Sequence, residues 1–189
     1  MRSRRPQLRT ELPRRAVLRW LGGAALAAGT APALALTPTR PAYSLSLANI
    51  HTGEKVRAVY REGDALLDDG LAELGVVLRD WRTDERHPID PALLDYLVEV
   101  QQSLGHDGYV NIISGYRSPK TNATLAARSN GVAKKSLHMQ GRAIDIALPG
   151  RATGDVRRAA LALQRGGVGL YSKSGFVHLD TGNFRSWGH

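Results

Sequence analysis

Between residues 43 and 61 the chain alternates apolar and polar side chains in "YSLSLAN" (43–49), and more loosely in "KVRAVYR" (55–61). Period-two alternation predicts strands, and His51-Thr52-Gly53 between them predicts a β-hairpin. The period then changes. From Asp68 to Arg82, the residues Leu71, Leu74, Leu78 and Trp81 recur at helical spacing. "IDPALLDYLVEVQQSLG" is the clearest helix: Asp90 is placed to cap it, Pro91 sits in its first turn, Leu93, Leu94, Leu97, Val100 and Leu104 form its apolar stripe, and Gly105 ends it. "YVNIISGYRSP" (109–119) predicts a strand running into a turn at Gly115, then a short helix through Leu125 and Ala126 and a loop over 129–136. "RAIDIAL" (142–148) predicts a strand stopped by Pro149-Gly150, and Thr153 a helix cap for Val156, Ala160 and Leu163, with Gly166-Gly167 as the stop. "VGLY" and "FVHLDTG" predict a second hairpin around Ser172 to Gly175. Strands and helices mix without βαβ regularity. The expected class is α+β, a small antiparallel sheet flanked by helices.

Composition narrows this picture. The chain has 189 residues, 23% charged and 42% hydrophobic, which suits one globular domain with a short extension. It has no cysteine, so thiolate metal sites and disulfides are excluded. The formal charge of +9 suggests nucleic acid until its distribution is examined. Arg14-Arg15, an apolar run from Trp20, and Ala33-Leu34-Ala35 form an export signal with cleavage expected after Ala35. The run contains Gly22, Gly23, Gly29 and Pro32 and is too short for a span, which needs roughly 20 apolar residues. Arg14-Arg15 followed by Val17-Leu18 resembles the twin-arginine signal, which carries folded proteins. Removing residues 1–35 takes away seven of the 26 basic and one of the 17 acidic residues, leaving +3. Nucleic acid is therefore not an expected partner. Residues 36–42, with Pro38 and Pro41, are expected to be a linker, and 43–189 the folded domain, working in the periplasm or cell wall.

Strand alternation also places the chemistry. In "RAIDIAL", Ile144, Ile146 and Leu148 face the core, and Ala143, Asp145 and Ala147 face away. In "FVHLD", Val177 and Leu179 point inward, leaving Phe176, His178 and Asp180 on the other face. If these strands are neighbours, Asp145 and His178 share a cleft, and His138, on a loop given freedom by Gly141, folds over it. Two imidazoles and one carboxylate make a three-ligand zinc site with an open position for water, whose pKa the metal lowers to about 7.

The string Ser136-x-His138-x-x-Gly141-x-Ala143-x-Asp145, followed by Val177-His178-x-Asp180, resembles the zinc peptidase superfamily of D-alanyl-D-alanine peptidases, lysostaphin-like enzymes and the hedgehog signalling domain. "SGYRSPKTN", "SLHMQGRAIDIALPG", "RGGVGLY" and "FVHLDTGNFRSW" resemble its exported murein endopeptidase branch. The resemblance implies a hedgehog/D-Ala-D-Ala peptidase-like fold and one zinc ion held by His138, Asp145 and His178. It implies Arg117 as the cation facing the substrate carbonyl or carboxylate, and Ser136 as a supporting hydrogen-bonding group. The implied activity is hydrolysis of amides in peptidoglycan stem-peptide cross-links. Two alternatives stand beside it: a D-residue carboxypeptidase, or a non-catalytic zinc domain that binds wall peptides. One departure bears on the mechanism. Where many relatives carry Glu three positions before the last zinc histidine, or His two before it, this chain has Gly175 and Phe176. Asp180, about 7 Å along the strand from His178, is the replacement candidate for the general base; its other role is to orient a ligand or Arg117. Lys134-Lys135 is read as a solvated pair that lies near enough to hold a peptide carboxylate, and Tyr171 and Trp187 as packing groups, with lining of a cleft rim as the alternative for either.

Overall fold

The computed structural model describes residues 41–129 and 132–188. The expected signal (1–35), all of the expected linker but Pro41 and Ala42, and His189 lie outside the described residues.

The first hairpin forms where the alternation predicts it. Strands β1 (Ala42–Asn49) and β2 (Lys55–Glu62) pair antiparallel, with Leu45 opposite Ala58 and Leu47 opposite Val56. Ala42, the last residue of the expected linker, already pairs with Glu62. A two-residue strand β3 (Ala65–Leu66) follows, then helix α1 (Asp68–Val77) and helix α2 (Pro91–Ser103). Asp90 caps α2, its side chain accepting from the Ala92 N–H at 3.0 Å. Strand β4 (Val110–Ser114), helix α3 (Pro119–Arg128), strand β5 (Ala143–Ala147) and helix α4 (Thr153–Leu163) come next. Strands β6 (Gly167–Tyr171) and β7 (Phe176–Asp180) make the second hairpin, and β8 (Arg185–Trp187) ends the described chain.

The eight strands form one sheet in the order β3-β2-β1-β4-β5-β7-β6-β8. The α+β class holds, but the sheet is larger than expected and mixed. β1 runs parallel to β4, and β6 parallel to β8, while the other five pairings are antiparallel. The β1–β4 connection passes through α1 and α2, long enough for the crossover that a parallel pair needs. Leu45, Leu47, Tyr60, Ile112, Ile144, Ile146, Val177 and Leu179 are buried on the core face. Leu74 from α1, Leu93, Leu94 and Leu97 from α2, and Val156 and Ala160 from α4 join the same cluster. The Tyr96 hydroxyl ties α2 to α4 by donating to the Ala160 carbonyl at 2.9 Å.

Two helix boundaries depart from the periodic pattern. α1 stops at Val77 although the apolar spacing continues to Trp81. The Leu78 carbonyl accepts the Tyr116 N–H at 2.7 Å, and Asp80 accepts the Ser118 N–H at 2.8 Å, so these groups bind the β4–α3 turn instead of extending a helix. At α4 the cap is Ala152, with no side-chain bond, and Thr153 is the first helical residue. That helix ends on Gln164 in a left-handed conformation, and Gly167 opens β6.

Candidate metal centre

Antiparallel pairing of β5 with β7 sets Asp145 opposite His178 and Ala143 opposite Asp180. Because the side-chain period is two, both pairs project from the face opposite Ile144, Ile146, Val177 and Leu179. The neighbouring alanine at 143 is small, which leaves room above the strand for a third group. That group is His138. It lies on a single 3₁₀ turn, Leu137–Gln140, where sequence reading expects only loop. Ser136 caps this turn, its hydroxyl accepting the His138 N–H at 3.3 Å. Gly141 ends it with φ of 65°, and a β-carbon there would fall 2.1 Å from the Pro88 carbonyl oxygen. Both the left-handed conformation and the close backbone approach call for glycine.

The three side chains converge. His138 Nε2 lies 3.2 Å from His178 Nδ1 and 3.4 Å from Asp145 Oδ2, and His178 Nδ1 lies 2.8 Å from Asp145 Oδ1. Among the described residues, these are the three whose ligand atoms all fall within 4.8 Å of one another. The opposite ring nitrogens decide what the converging atoms are. His138 Nδ1 is 2.8 Å from the Gly115 carbonyl oxygen, which only accepts, so Nδ1 carries the proton. His178 Nε2 is 2.9 Å from Asp180 Oδ2 and donates to it. In neutral rings, Nε2 of His138 and Nδ1 of His178 then face each other as bare lone pairs, beside a carboxylate. Three acceptors in contact with no donor among them repel one another unless a cation lies between. This donor set fits a divalent metal, with the outer hydrogen bonds fixing ring orientation and tautomer.

Electrostatics agree with that assignment. Burial by itself would push the Asp145 carboxyl up; His138 and His178 outweigh it and hold the group well below the usual carboxylate range. Burial likewise works against charging His178, but hydrogen bonds to Asp145 and Asp180 raise its pKa above the ordinary value. The site therefore attracts positive charge, as a proton or as a metal.

Asp180 borders the cleft, but its carboxylate oxygens are taken up by protein donors. It is fully buried. Its Oδ1 accepts the Gly167 N–H at 3.1 Å, the Gly182 N–H at 2.8 Å and Arg185 Nη1 at 3.0 Å. Its Oδ2 accepts from His178 and from Arg185 Nη2, the latter at 2.7 Å. Against the burial that opposes its charge, His178 and Arg185 hold its pKa well below the carboxylate range.

Arg117 reaches the same place from the turn after β4. Its Nη2 is 3.5 Å from Asp145 Oδ2 and 3.4 Å from Ser114 Oγ, and Nη1 is 3.4 Å from Asn122 Oδ1. The turn is pressed against the end of α1: a β-carbon on Gly115 would lie 2.4 Å from the Leu78 carbonyl oxygen. The same close approach aims the Gly115 carbonyl at His138. The triad, Arg117 and Asp180 all border one cleft of about 380 Å³, which Tyr171, Phe176 and Trp187 also line.

Every site residue named from sequence thus meets at one cleft. Sequence reading misses Arg185, the Gly115 carbonyl and Phe176 as a lining group, whereas Tyr171 and Trp187, the two candidates for the cleft rim, do line the cleft. The Trp187 ring packs 5.2 Å from that of His178. No periodic signal marks Arg185, because β8 has only three residues and pairs parallel with a strand two steps back in the chain.

Comparison with known proteins bears on this geometry. The family model described as peptidoglycan L,D-endopeptidase MepK matches residues 37–187. The peptidoglycan L,D-endopeptidase MepK of Escherichia coli K12 is 46% identical over 169 residues, covering 88% of this chain and 93% of that protein. That of Shigella flexneri shows the same figures. The probable peptidoglycan L,D-endopeptidase MepK of Haemophilus influenzae is 38% identical over 170 residues, covering 88% and 91%. No solved structure gives a significant match.

Proposed function

The chain belongs to the peptidoglycan L,D-endopeptidase MepK family, and from that premise we propose that it is a zinc-dependent hydrolase of peptidoglycan stem-peptide cross-links. The bond cut is an amide with an L centre on its acyl side and a D centre on its amine side. The carrying observation is the convergence of two bare ring nitrogens and a carboxylate in one open cleft. His138 Nε2, Asp145 and His178 Nδ1 would hold one zinc ion, which would supply Lewis acidity. Arg117 binds the scissile carbonyl oxygen and stabilises the negative charge that develops on it. Its contacts to Ser114, Asn122 and Asp145 are long, at 3.4–3.5 Å, and its Nε has no protein partner among the described residues, which leaves donor capacity for substrate. Ser136 fixes the turn that carries His138.

Asp180 takes the orienting role and not that of general base. Five donors already occupy its two oxygens, and its pKa is depressed. A carboxylate so stabilised as an anion is a poor proton acceptor at neutral pH. Its work is to keep the proton on His178 Nε2 and the lone pair on Nδ1.

Arg14-Arg15 and the apolar run behind them support export to the compartment where peptidoglycan lies. No helix among the described residues is long and apolar enough to cross a membrane. The test is incubation of purified protein with defined cross-linked muropeptides, with and without a chelator, and mass analysis of products. Monomers released only without chelator, by cleavage at the L,D bond, are the expected result. Release of a single terminal D-residue makes the protein a carboxypeptidase; binding without cleavage makes it a wall-peptide binder.

A further inference from the structure

The charged groups lining the cleft do not balance. Two carboxylates, Asp145 and Asp180, face three permanent cations, Arg117, Lys135 and Arg185. Arg117 contacts Asp145, and Arg185 forms a two-pronged pair with Asp180. Lys135 is left over. It is exposed, lines the cleft from the loop before the His138 turn, and has no counter-ion among the described residues. Its neighbour Lys134 does not line the cleft. The protein groups alone leave one net positive charge, and a divalent cation on the triad makes that three.

The aromatic wall adds a neutral donor. Tyr171 stacks on Phe176, ring centroids 4.5 Å apart and planes 16° from parallel, so its ring is held. Its hydroxyl oxygen accepts the Trp187 indole N–H at 3.1 Å. That bond uses a lone pair and leaves the hydroxyl's own proton to donate elsewhere. Tyr171 also lines the cleft. A cleft with surplus positive charge, an unpaired ammonium and a directed O–H suits a ligand that is anionic and rich in acceptors.

We propose that the cleft contains a carboxylate subsite, with Lys135 and the Tyr171 hydroxyl as its recognition groups, selecting cross-links that carry a free carboxylate beside the cut bond. The inference rests on the hydrolase reading above for its substrate class. Lys135 supplies charge complementarity and Tyr171 a directional donor; neither holds the metal. Trp187 acts through Tyr171, as the group that sets its hydroxyl direction.

The test uses two cross-linked muropeptides, identical except that the carboxylate beside the scissile amide is free in one and amidated in the other. For zinc-loaded wild-type protein, kcat/KM is expected to be about tenfold higher for the free acid, as for a charge-assisted hydrogen bond in a half-open site. Lys135→Gln removes most of that preference, Lys135→Arg restores it, and Tyr171→Phe reduces it by a smaller factor, all with zinc content unchanged. The preference also shrinks as salt is raised. Equal rates on both ligands in the wild type, or an unchanged ratio in Lys135→Gln, overturn the subsite. Calorimetric binding of the two muropeptides is measured in parallel. If neither is cleaved yet the acid binds more tightly and Lys135→Gln abolishes the difference, the hydrolase reading falls and the subsite stands. If neither is cleaved and both bind alike, or neither binds, both fall.

Discussion

The β1–β2 hairpin and the β5–β7 pair share antiparallel pairing and side-chain alternation, and they are stabilised differently. In the hairpin, Leu45 and Leu47 are buried on one face, while the other carries ordinary polar partners such as the Arg57–Ser46 hydrogen bond at 2.9 Å. Val59 is 39% exposed there. In the β5–β7 pair the second face is also covered, although it carries Asp145, His178 and Asp180. Asp145 is 6% exposed and Asp180 fully buried. The hairpin is held by transfer of apolar surface from water, roughly 25 cal/mol per Å². The β5–β7 pair is held by complete pairing, because an unpartnered buried carboxylate costs several kcal/mol. One alternating pattern thus yields a scaffold in one place and a charged, poised centre in the other.

That contrast predicts separable defects. Asp145→Ala should remove a ligand and lower turnover on the order of 10³-fold, with metal content near zero by elemental analysis. Turnover within tenfold of wild type would mean that the β5–β7 face is not the reacting centre. Leu47→Ala should cost about 2–5 kcal/mol of stability in denaturant titration while leaving the metal affinity of the folded protein unchanged. If metal affinity fell as well, the two regions would not be independent.

Asp180→Asn sits between these extremes. It should weaken metal binding about 10–100-fold, measured by competition with a chromogenic chelator. Retained affinity with lost turnover would instead restore Asp180 as the general base.

Acid sensitivity offers the finest distinction, and Asp80 reports it away from the metal. Burial opposes its charge, but hydrogen bonds from Thr121, Ser118 and Arg82 prevail and lower its pKa below the ordinary carboxylate value. A depressed folded-state pKa contributes stability that is complete above the unfolded value and is lost as pH falls through the folded one. The Tm difference between wild type and Asp80→Asn should therefore be constant above about pH 5 and narrow on acidification. A difference independent of pH would show that the Asp80 charge does not secure the Arg117 turn.

Much of this molecule is legible locally. The Asp90 cap, the two hairpins, the α2 stripe and the outward placement of Asp145, His178 and Asp180 all follow from spacing and residue type within a few positions. The end of α1 is not legible, because Leu78 and Asp80 bind backbone groups 38 positions downstream. Nor is the role of Asp180. Its position on the right strand face suggests a base, and only the arrival of Arg185, Gly167 and Gly182 around its oxygens supports the orienting role proposed for it.

The sequence by itself determined which side chains are offered: two imidazoles and a carboxylate with the right strand phase, an arginine in a turn, and no cysteine to compete. The tertiary structure alone decided what state those groups are in. Tautomer, proton affinity and unpaired charge depend on what touches the far side of each group. Gly115 lies 23 residues from His138, and the Tyr171 hydroxyl is directed by an indole 16 residues away. Periodicity is a property of neighbours in the chain, whereas hydrogen-bond partnership is a property of neighbours in space.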